Sequence, residues 1–145
     1  MRHHLVLRVV TKMLMPAILL FALYTQFHGD YGPGGGFQGG VIFGAAFVLH
    51  GIVFGAEETR RILPEWLVRA GTALGILVYA GTGYAGPLLG TNFLEYNAFA
   101  GEKHHAQELG ILLVETGVFL TVAFTMVLIF YAFTGRTTHL RDEQW

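Results

Sequence analysis

Residues 13–27 read MLMPAILLFALYTQF, a segment without a single charged side chain. A helix needs roughly 20 consecutive, mostly apolar residues to cross the hydrocarbon core of a bilayer. Extended back to Leu5, the segment reaches that length, and the long side chains of Arg8 and Lys12 near its start can extend to a membrane surface. We therefore expect a first transmembrane helix over residues 5–27. A cleaved signal peptide is the weaker interpretation, because no small-x-small cleavage site follows.

The composition extends this expectation to the whole chain. Of the 145 residues, 53% are hydrophobic and 13% are charged, whereas about 25% are charged in an average soluble protein. The mean hydropathy is +0.51. Three more apolar segments follow the first, at residues 36–55, 66–87 and 104–133. We predict an all-α membrane protein: a single domain over residues 1–145 with four transmembrane helices.

Several kinds of site are excluded by the residues themselves. The absence of cysteine excludes thiolate catalysis, zinc ribbons and covalently attached c-type haem, and a net charge of -1 implies no basic face for nucleic acid. His104, His105 and Glu108 are too few ligands for a zinc site. A haem cannot lie between His50 and His104, because its two axial ligands have to lie at the same depth in the membrane. These histidines are near opposite ends of their spans. We expect no metal, no cofactor and no enzymatic activity.

The basic residues predict the orientation of the chain. Four crossings place the N-terminus, the loop between the second and third helices and the C-terminus on one side of the membrane. Eight of the nine basic residues fall on that side: Arg2, Arg8, Lys12, Arg60, Arg61, Arg69, Arg136 and Arg141. Only Lys103 falls opposite. By the positive-inside rule both termini are cytoplasmic, and the glycine-rich loop before the second helix is outside.

That glycine-rich loop is the densest local signal. Residues 28–40 read HGDYGPGGGFQGG, which contains a literal G-x-G-x-x-G. A dinucleotide site needs a strand before this motif, and here a membrane helix precedes it. Gly36, Gly40 and Gly44 instead recur every four residues, a spacing that allows close helix approach. Packing within the chain explains part of this pattern, and we expect another subunit to pack on the second helix as well.

The same segment carries a family resemblance. It resembles the signature of the B subunit of Mrp-type multisubunit cation/proton antiporters, the MnhB family, through Gly29, Pro33, Gly34, Gly35, Gly36, Phe37, Gly39 and Gly40. A related domain occurs in membrane-bound respiratory hydrogenases. The resemblance extends to Lys12 and Pro16, and to Glu108 followed by an aliphatic residue and glycine. Asp30 stands where the family frequently has histidine, so no role for that histidine is carried over.

The resemblance implies a membrane subunit of a sodium (or other monovalent cation)/proton antiporter in a bacterial or archaeal plasma membrane. Its implied partners are other subunits of the complex, including larger ones that resemble the proton-pumping subunits of respiratory complex I, and the transported ions are Na⁺ and H⁺. Polar groups in this chain are too few for a complete path across the bilayer. We therefore expect a non-pumping subunit that bridges others and lines part of a shared ion passage. The alternatives are a membrane anchor of a related hydrogenase and a self-contained small proton-coupled transporter.

Two acids in the fourth helix are candidates for that passage, because charge at membrane depth is costly and is therefore often functional. Glu115 lies two helical turns beyond Glu108, roughly 10 Å deeper in the membrane. One interpretation makes the pair a proton or cation relay. The other makes Glu115 a neutral or hydrogen-bonded acid that fixes helix packing.

Two basic groups complete the set of candidates. His50 lies in the second helix, and its charge can change near neutral pH, so it is either a proton-relay group or a hydrogen-bonding partner of a neighbouring helix. Lys12 is either an anchor at the membrane surface or a cation that faces a carboxylate of another subunit. Pro16 leaves the carbonyl of Lys12 without its helical partner and predicts a kink in the first helix.

Overall fold

The computed structural model describes residues 5–29, 32–99 and 103–136, and these form helices and connecting turns without a strand. Arg2, Asp30 and Arg141, which entered the predictions above, lie outside the described residues. The five α-helices are α1 (Leu5–Phe27), α2 (Gly36–Phe54), α3 (Ala56–Ile62), α4 (Glu65–Leu88) and α5 (Lys103–Arg136), and a 3-10 turn covers Tyr96–Ala98. The predicted all-α class is confirmed for the described residues.

Three of these helices, α1, α2 and α5, are each long and apolar enough to cross a membrane. The short helix α3 and the longer α4 meet at an angle of 63° and pass the same test together. The described chain therefore has three candidate spans, or four if the bent pair is one span. The separate helix α3 was not predicted from the sequence. It begins after Gly55, whose φ of 102° turns the chain out of α2, and it ends before Pro64, which precedes the first turn of α4.

The long helices pack as an open row in the order α1–α2–α5–α4 across the molecule. Gly36 lies beside Glu115, and Gly51 lies beside Phe130, so α2 and α5 run parallel. Gly71 lies beside Phe124, and Gly75 lies beside Thr121 and Gly117, so α4 runs antiparallel to α5. Within the described residues, the two inner helices have neighbours on both sides, whereas α1 and α4 are edges of the row.

The core lies toward one end of this row. Phe47, Leu63, Val68, Val127 and Tyr131 are buried together there. The Tyr131 hydroxyl donates a hydrogen bond of 2.8 Å to the backbone carbonyl of Leu63. Because Leu63 stands at the break between α3 and α4, this bond ties the bend to α5. We call this end, which contains the start of α1, the end of α2, α3 and the end of α5, the basic end.

The glycine stripe of α2 requires a correction to the sequence analysis. A Cβ on Gly36 would collide with the backbone of Glu115, and a Cβ on Gly40 would come within 2.8 Å of the Phe119 carbonyl oxygen. A Cβ on Gly44 would lie 3.0 Å from the carbonyl oxygen of Ala123. Helix α5 of the same chain thus covers the stripe that was expected to face another subunit. The spacing allows close helix approach, but it does not identify the helix that approaches.

Candidate functional site

The glycine-rich loop and Glu115 form a compact site at the end of the row opposite the basic end, which we call the glycine end. Gly35 has a φ of 110°, and its amide donates a 2.9 Å hydrogen bond to the carbonyl of Thr25. A Cβ on Gly35 would lie 3.0 Å from Glu115 Oε1, and a Cβ on Gly29 would lie 3.1 Å from the same oxygen. The glycines therefore let the half-buried carboxyl group of Glu115 rest directly against the loop backbone.

The other residues of the motif divide into inward and outward positions. A Cβ on Gly34 would lie 2.6 Å from the Thr25 carbonyl oxygen, so this glycine also belongs to the tight junction of α1 and α2. Gly39 fits between α1 and α5, close to Ala22 and Phe119. Pro33 and Phe37 are exposed, and 61% of the Phe37 surface is accessible to solvent. The motif thus packs its glycines inside the chain and presents an aromatic ring outside.

Gln26 at the end of α1 is a feature that the sequence analysis missed. The residue is only 3% exposed, and neither its amide nitrogen nor its amide oxygen has a hydrogen-bond partner among the residues that the structure describes. A buried amide without partners costs roughly 1–3 kcal/mol. The backbone of Gln26 borders Gly39, as does the ring of Phe119, which lies one turn beyond Glu115. The only sequence signal was a polar residue at the end of an apolar helix.

Glu108 lies apart from this junction, on the exposed first turns of α5. Its carboxylate is 3.2 Å from Nδ1 of His104 and 3.9 Å from Nδ1 of His105, and all three side chains are largely exposed. Gln107 donates a 3.3 Å hydrogen bond to Asn97 of the 3-10 turn, so the preceding loop packs beside these turns. Within the described residues, no three or more His, Asp or Glu side chains are arranged so that they could hold a metal ion.

In that loop, hydrogen bonds lower the pKa of Glu95. The backbone amide of Asn92 donates to the carboxylate at 3.0 Å. The side-chain amides of Asn97 and Asn92 donate as well, at 3.5 Å and 3.0 Å. Each bond favours the ionised form of the acid. The loop before α5 therefore keeps a negative charge near neutral pH.

His50 and Lys12 lie at the basic end. His50 is buried, and its Nδ1 is 2.8 Å from the hydroxyl oxygen of Thr59 in α3. The same hydroxyl oxygen also lies 3.2 Å from the carbonyl oxygen of Gly55, within hydrogen-bond distance. The His50 ring stacks on Phe54, with 4.6 Å between ring centroids, and Lys12 Nζ is 5.8 Å from the centroid of Phe54. The bond from His50 therefore links α2 to α3.

The structure thus brings the predicted site residues together in two groups rather than one. Glu115 lies level with Gly36 at the start of α2. His50 is fourteen residues further along that helix, a rise of roughly 21 Å. Glu115 and the glycine loop form one group, and His50 and Lys12 form the other. Glu108 lies outside both.

The fold and these sites define an all-helical membrane protein with several spans and ionisable side chains near both ends of its helices. Residues 6–128 match the model of a family described as "Domain related to MnhB subunit of Na+/H+ antiporter". The chain belongs to this family, as its glycine-rich motif predicts.

Curated relatives agree with this assignment. A protein of Staphylococcus haemolyticus is 36% identical over 132 residues, which cover 83% of this chain and 92% of the relative. A protein of Staphylococcus aureus (strain Newman) is 37% identical over 131 residues, with the same shares of both chains covered. Both carry the name "Putative antiporter subunit mnhB2". The residues matched by the family model include the glycine-rich loop and most of α5.

Proposed function

We propose that this chain is a non-pumping, non-catalytic membrane subunit of a multisubunit Na⁺/proton antiporter. Its place is the plasma membrane, and its partners are the other subunits of the complex, including larger subunits that resemble those of respiratory complex I. The observation that carries the proposal is the family match over residues 6–128. Two relatives support it by their names, and the alignment with this chain covers 92% of the length of each.

The separation of the candidate residues supports a subunit that does not transport alone. The hydrocarbon core is about 30 Å thick, and the two groups of ionisable residues lie roughly 21 Å apart along α2. Gly40, Gly44 and Phe47, which occupy the intervening length of α2, are buried against α5 or in the core. Other subunits therefore have to supply the middle of any ion passage, and Glu115 is the residue of this chain best placed to line one wall of it.

The open row supports a bridging role. A closed four-helix bundle would join α1 to α4, whereas these helices are opposite edges here. Their outward faces carry large exposed apolar side chains, including Met13 and Phe21 on α1 and Leu77 and Tyr84 on α4. Gly81 on α4 has open space around it, which leaves room for another helix. In the proposed assembly, partner subunits contact these two edges and not the glycine stripe of α2.

The directions of the helices support four crossings. Because α2 and α5 run parallel, the chain between them has to return across the thickness of the membrane, and α3 with α4 is the segment that does so. The start of α1 and the end of α5 then share a side. The positive-inside rule makes that side cytoplasmic, since Arg8, Lys12, Arg60 and Arg61 lie there.

The proposal is tested by purifying the tagged full-length chain from its native membranes in mild detergent. We expect it to migrate on native gels with larger antiporter subunits. We also expect everted vesicles from cells lacking the chain to lose Na⁺-driven proton movement, which a plasmid copy restores. Ion exchange by the chain alone in liposomes would instead identify a self-contained transporter. Co-purification with metal-binding redox subunits would identify a hydrogenase anchor.

A further inference from the structure

A cavity of about 870 Å³ opens at the basic end of the row, between the start of α1, the end of α2 and α3. The charged side chains that line it are four cations and two carboxylates: Arg8, Lys12, Arg60, Arg61, Glu57 and Glu58. Each carboxylate already pairs with an arginine of α3, at 3.5 Å and 3.3 Å between the charged atoms. The surplus positive charge of the cavity therefore belongs to α1.

Arg8 and Lys12 supply that surplus. Neither side chain has an ion pair with a carboxylate in the described part of the chain. Cζ of Arg8 lies 5.1 Å and Nζ of Lys12 lies 5.8 Å from the centroid of the Phe54 ring. They stand on an edge helix beside Val9 and Met13, whose side chains are 48% and 74% exposed. Two cations that line the same cavity repel each other, and an anion bound between them would offset that repulsion.

We infer that this cavity binds the phosphodiester headgroup of an anionic phospholipid, with the phosphate between Arg8 and Lys12. Arginine offers a forked pair of donors to phosphate oxygens, and lysine adds a compact charge. Basic pockets between helices at the cytoplasmic side of a membrane recognise anionic headgroups in this way.

The position of the cavity favours a lipid as the source of the phosphate. Helix α1 is an edge of the row, so acyl chains can lie along its exposed apolar side chains while the headgroup enters the cavity. The surplus of positive charge also disfavours this end as an entrance for Na⁺. The inference rests on the membrane orientation proposed above, but lipid binding is measured separately from antiport, so either proposal can fail without the other.

The experiment measures thermal unfolding of the full-length chain in its purified, delipidated complex. Dioleoylphosphatidylglycerol, dioleoylphosphatidylcholine and inorganic phosphate are added separately. We expect phosphatidylglycerol alone to raise the unfolding midpoint by several degrees, because only it combines a net negative headgroup with acyl chains. The double variant Arg8→Gln with Lys12→Gln should lose most of that shift. Arg69→Gln is the matched control, since Arg69 lies at the same end, pairs with Glu65 and does not line the cavity.

A charge-conserving double variant, Arg8→Lys with Lys12→Arg, covers the case in which the glutamine variant does not fold, and it should keep the shift. Equal stabilisation of the wild type and the glutamine variant would overturn the inference. So would an equal shift with inorganic phosphate, which would identify a site for the free anion. Absence of any shift with the three additives would also overturn it, and would point to a carboxylate of another subunit as the partner.

Discussion

Glu115 shows how single residues create a site that the local sequence does not contain. Its carboxyl group rests against Gly29 and Gly35, which lie about 80 residues earlier in the chain. Gly35 adopts a positive φ that is strained for other residues, and a side chain there would meet the carboxylate as well. The glycine and the acid therefore belong to one structural unit. Helix α5 contributes the carboxyl group, and the loop has no side chain at Gly35 that would displace it.

Replacing Glu115 with glutamine should reduce antiport several-fold while the complex assembles normally. Glutamine keeps the size of the side chain but cannot exchange a proton or carry the charge that attracts a cation. The measurement is Na⁺-driven proton movement in everted vesicles, at equal abundance of the complex on native gels. Glu65→Gln is the control, because Glu65 is a surface residue paired with Arg69. Unchanged antiport in the Glu115 variant would reduce this residue to a packing role.

Among the helices, the pair α2 and α5 depends on glycine for its close contact. Gly36, Gly40 and Gly44 bring the backbone of α2 against α5 along one face, and Gly75 and Gly117 do the same between α4 and α5. In a membrane, helix association relies on such close packing, because lipid tails are as apolar as leucine. The sequence spacing predicts a smooth helix face, whereas its burial within the chain could only be read from the structure.

Gly40→Ala should destabilise the protein by about 1–3 kcal/mol, the usual cost of overpacking a tight interior. The added Cβ would lie 2.8 Å from a backbone carbonyl oxygen of α5, which cannot rotate away as a side chain can. Gly135→Ala is the matched control: the nearest neighbour of a Cβ there would be the Arg60 side chain at an ordinary contact distance of 3.7 Å, and the substitution should stabilise the helix by up to about 1 kcal/mol. Thermal unfolding of the complex in detergent measures both. Equal unfolding midpoints for the Gly40→Ala variant and the control variant would contradict the assignment of Gly40 to a tight contact.

For the whole molecule, the open row is the feature with the widest consequences. The basic end and the glycine end lie at opposite ends of the long helices, and α1 and α4 each leave one side uncovered by the described chain. Such a shape suits a subunit that fills the space between others. In the proposed assembly, the two groups of ionisable residues lie roughly 21 Å apart along α2, so the chain would contribute to an ion passage only near its ends.

Four crossings with cytoplasmic ends predict a distinct labelling pattern. The chain has no cysteine, so a single introduced cysteine reports its own position. In intact cells, a membrane-impermeant maleimide should label His105→Cys and should label Glu57→Cys only after permeabilisation. Both side chains are exposed, so accessibility within the protein is matched. Labelling of both positions in intact cells would show that α3 and α4 do not cross the membrane.

The sequence by itself determined the long helices and the family, but not the short helix α3. Backbone hydrogen bonds in a bilayer have to be satisfied within the helix, so apolar length is a local property that can be read directly, and α1 covers the residues that hydropathy predicts. The glycine-rich motif was likewise sufficient to identify the MnhB family. Only the tertiary structure decided that α5 covers the glycine stripe, that His50 bonds to Thr59 and that Arg8 and Lys12 line a cavity. These contacts join residues on different helices, and helix packing depends on the shapes of both partners, which no single segment contains.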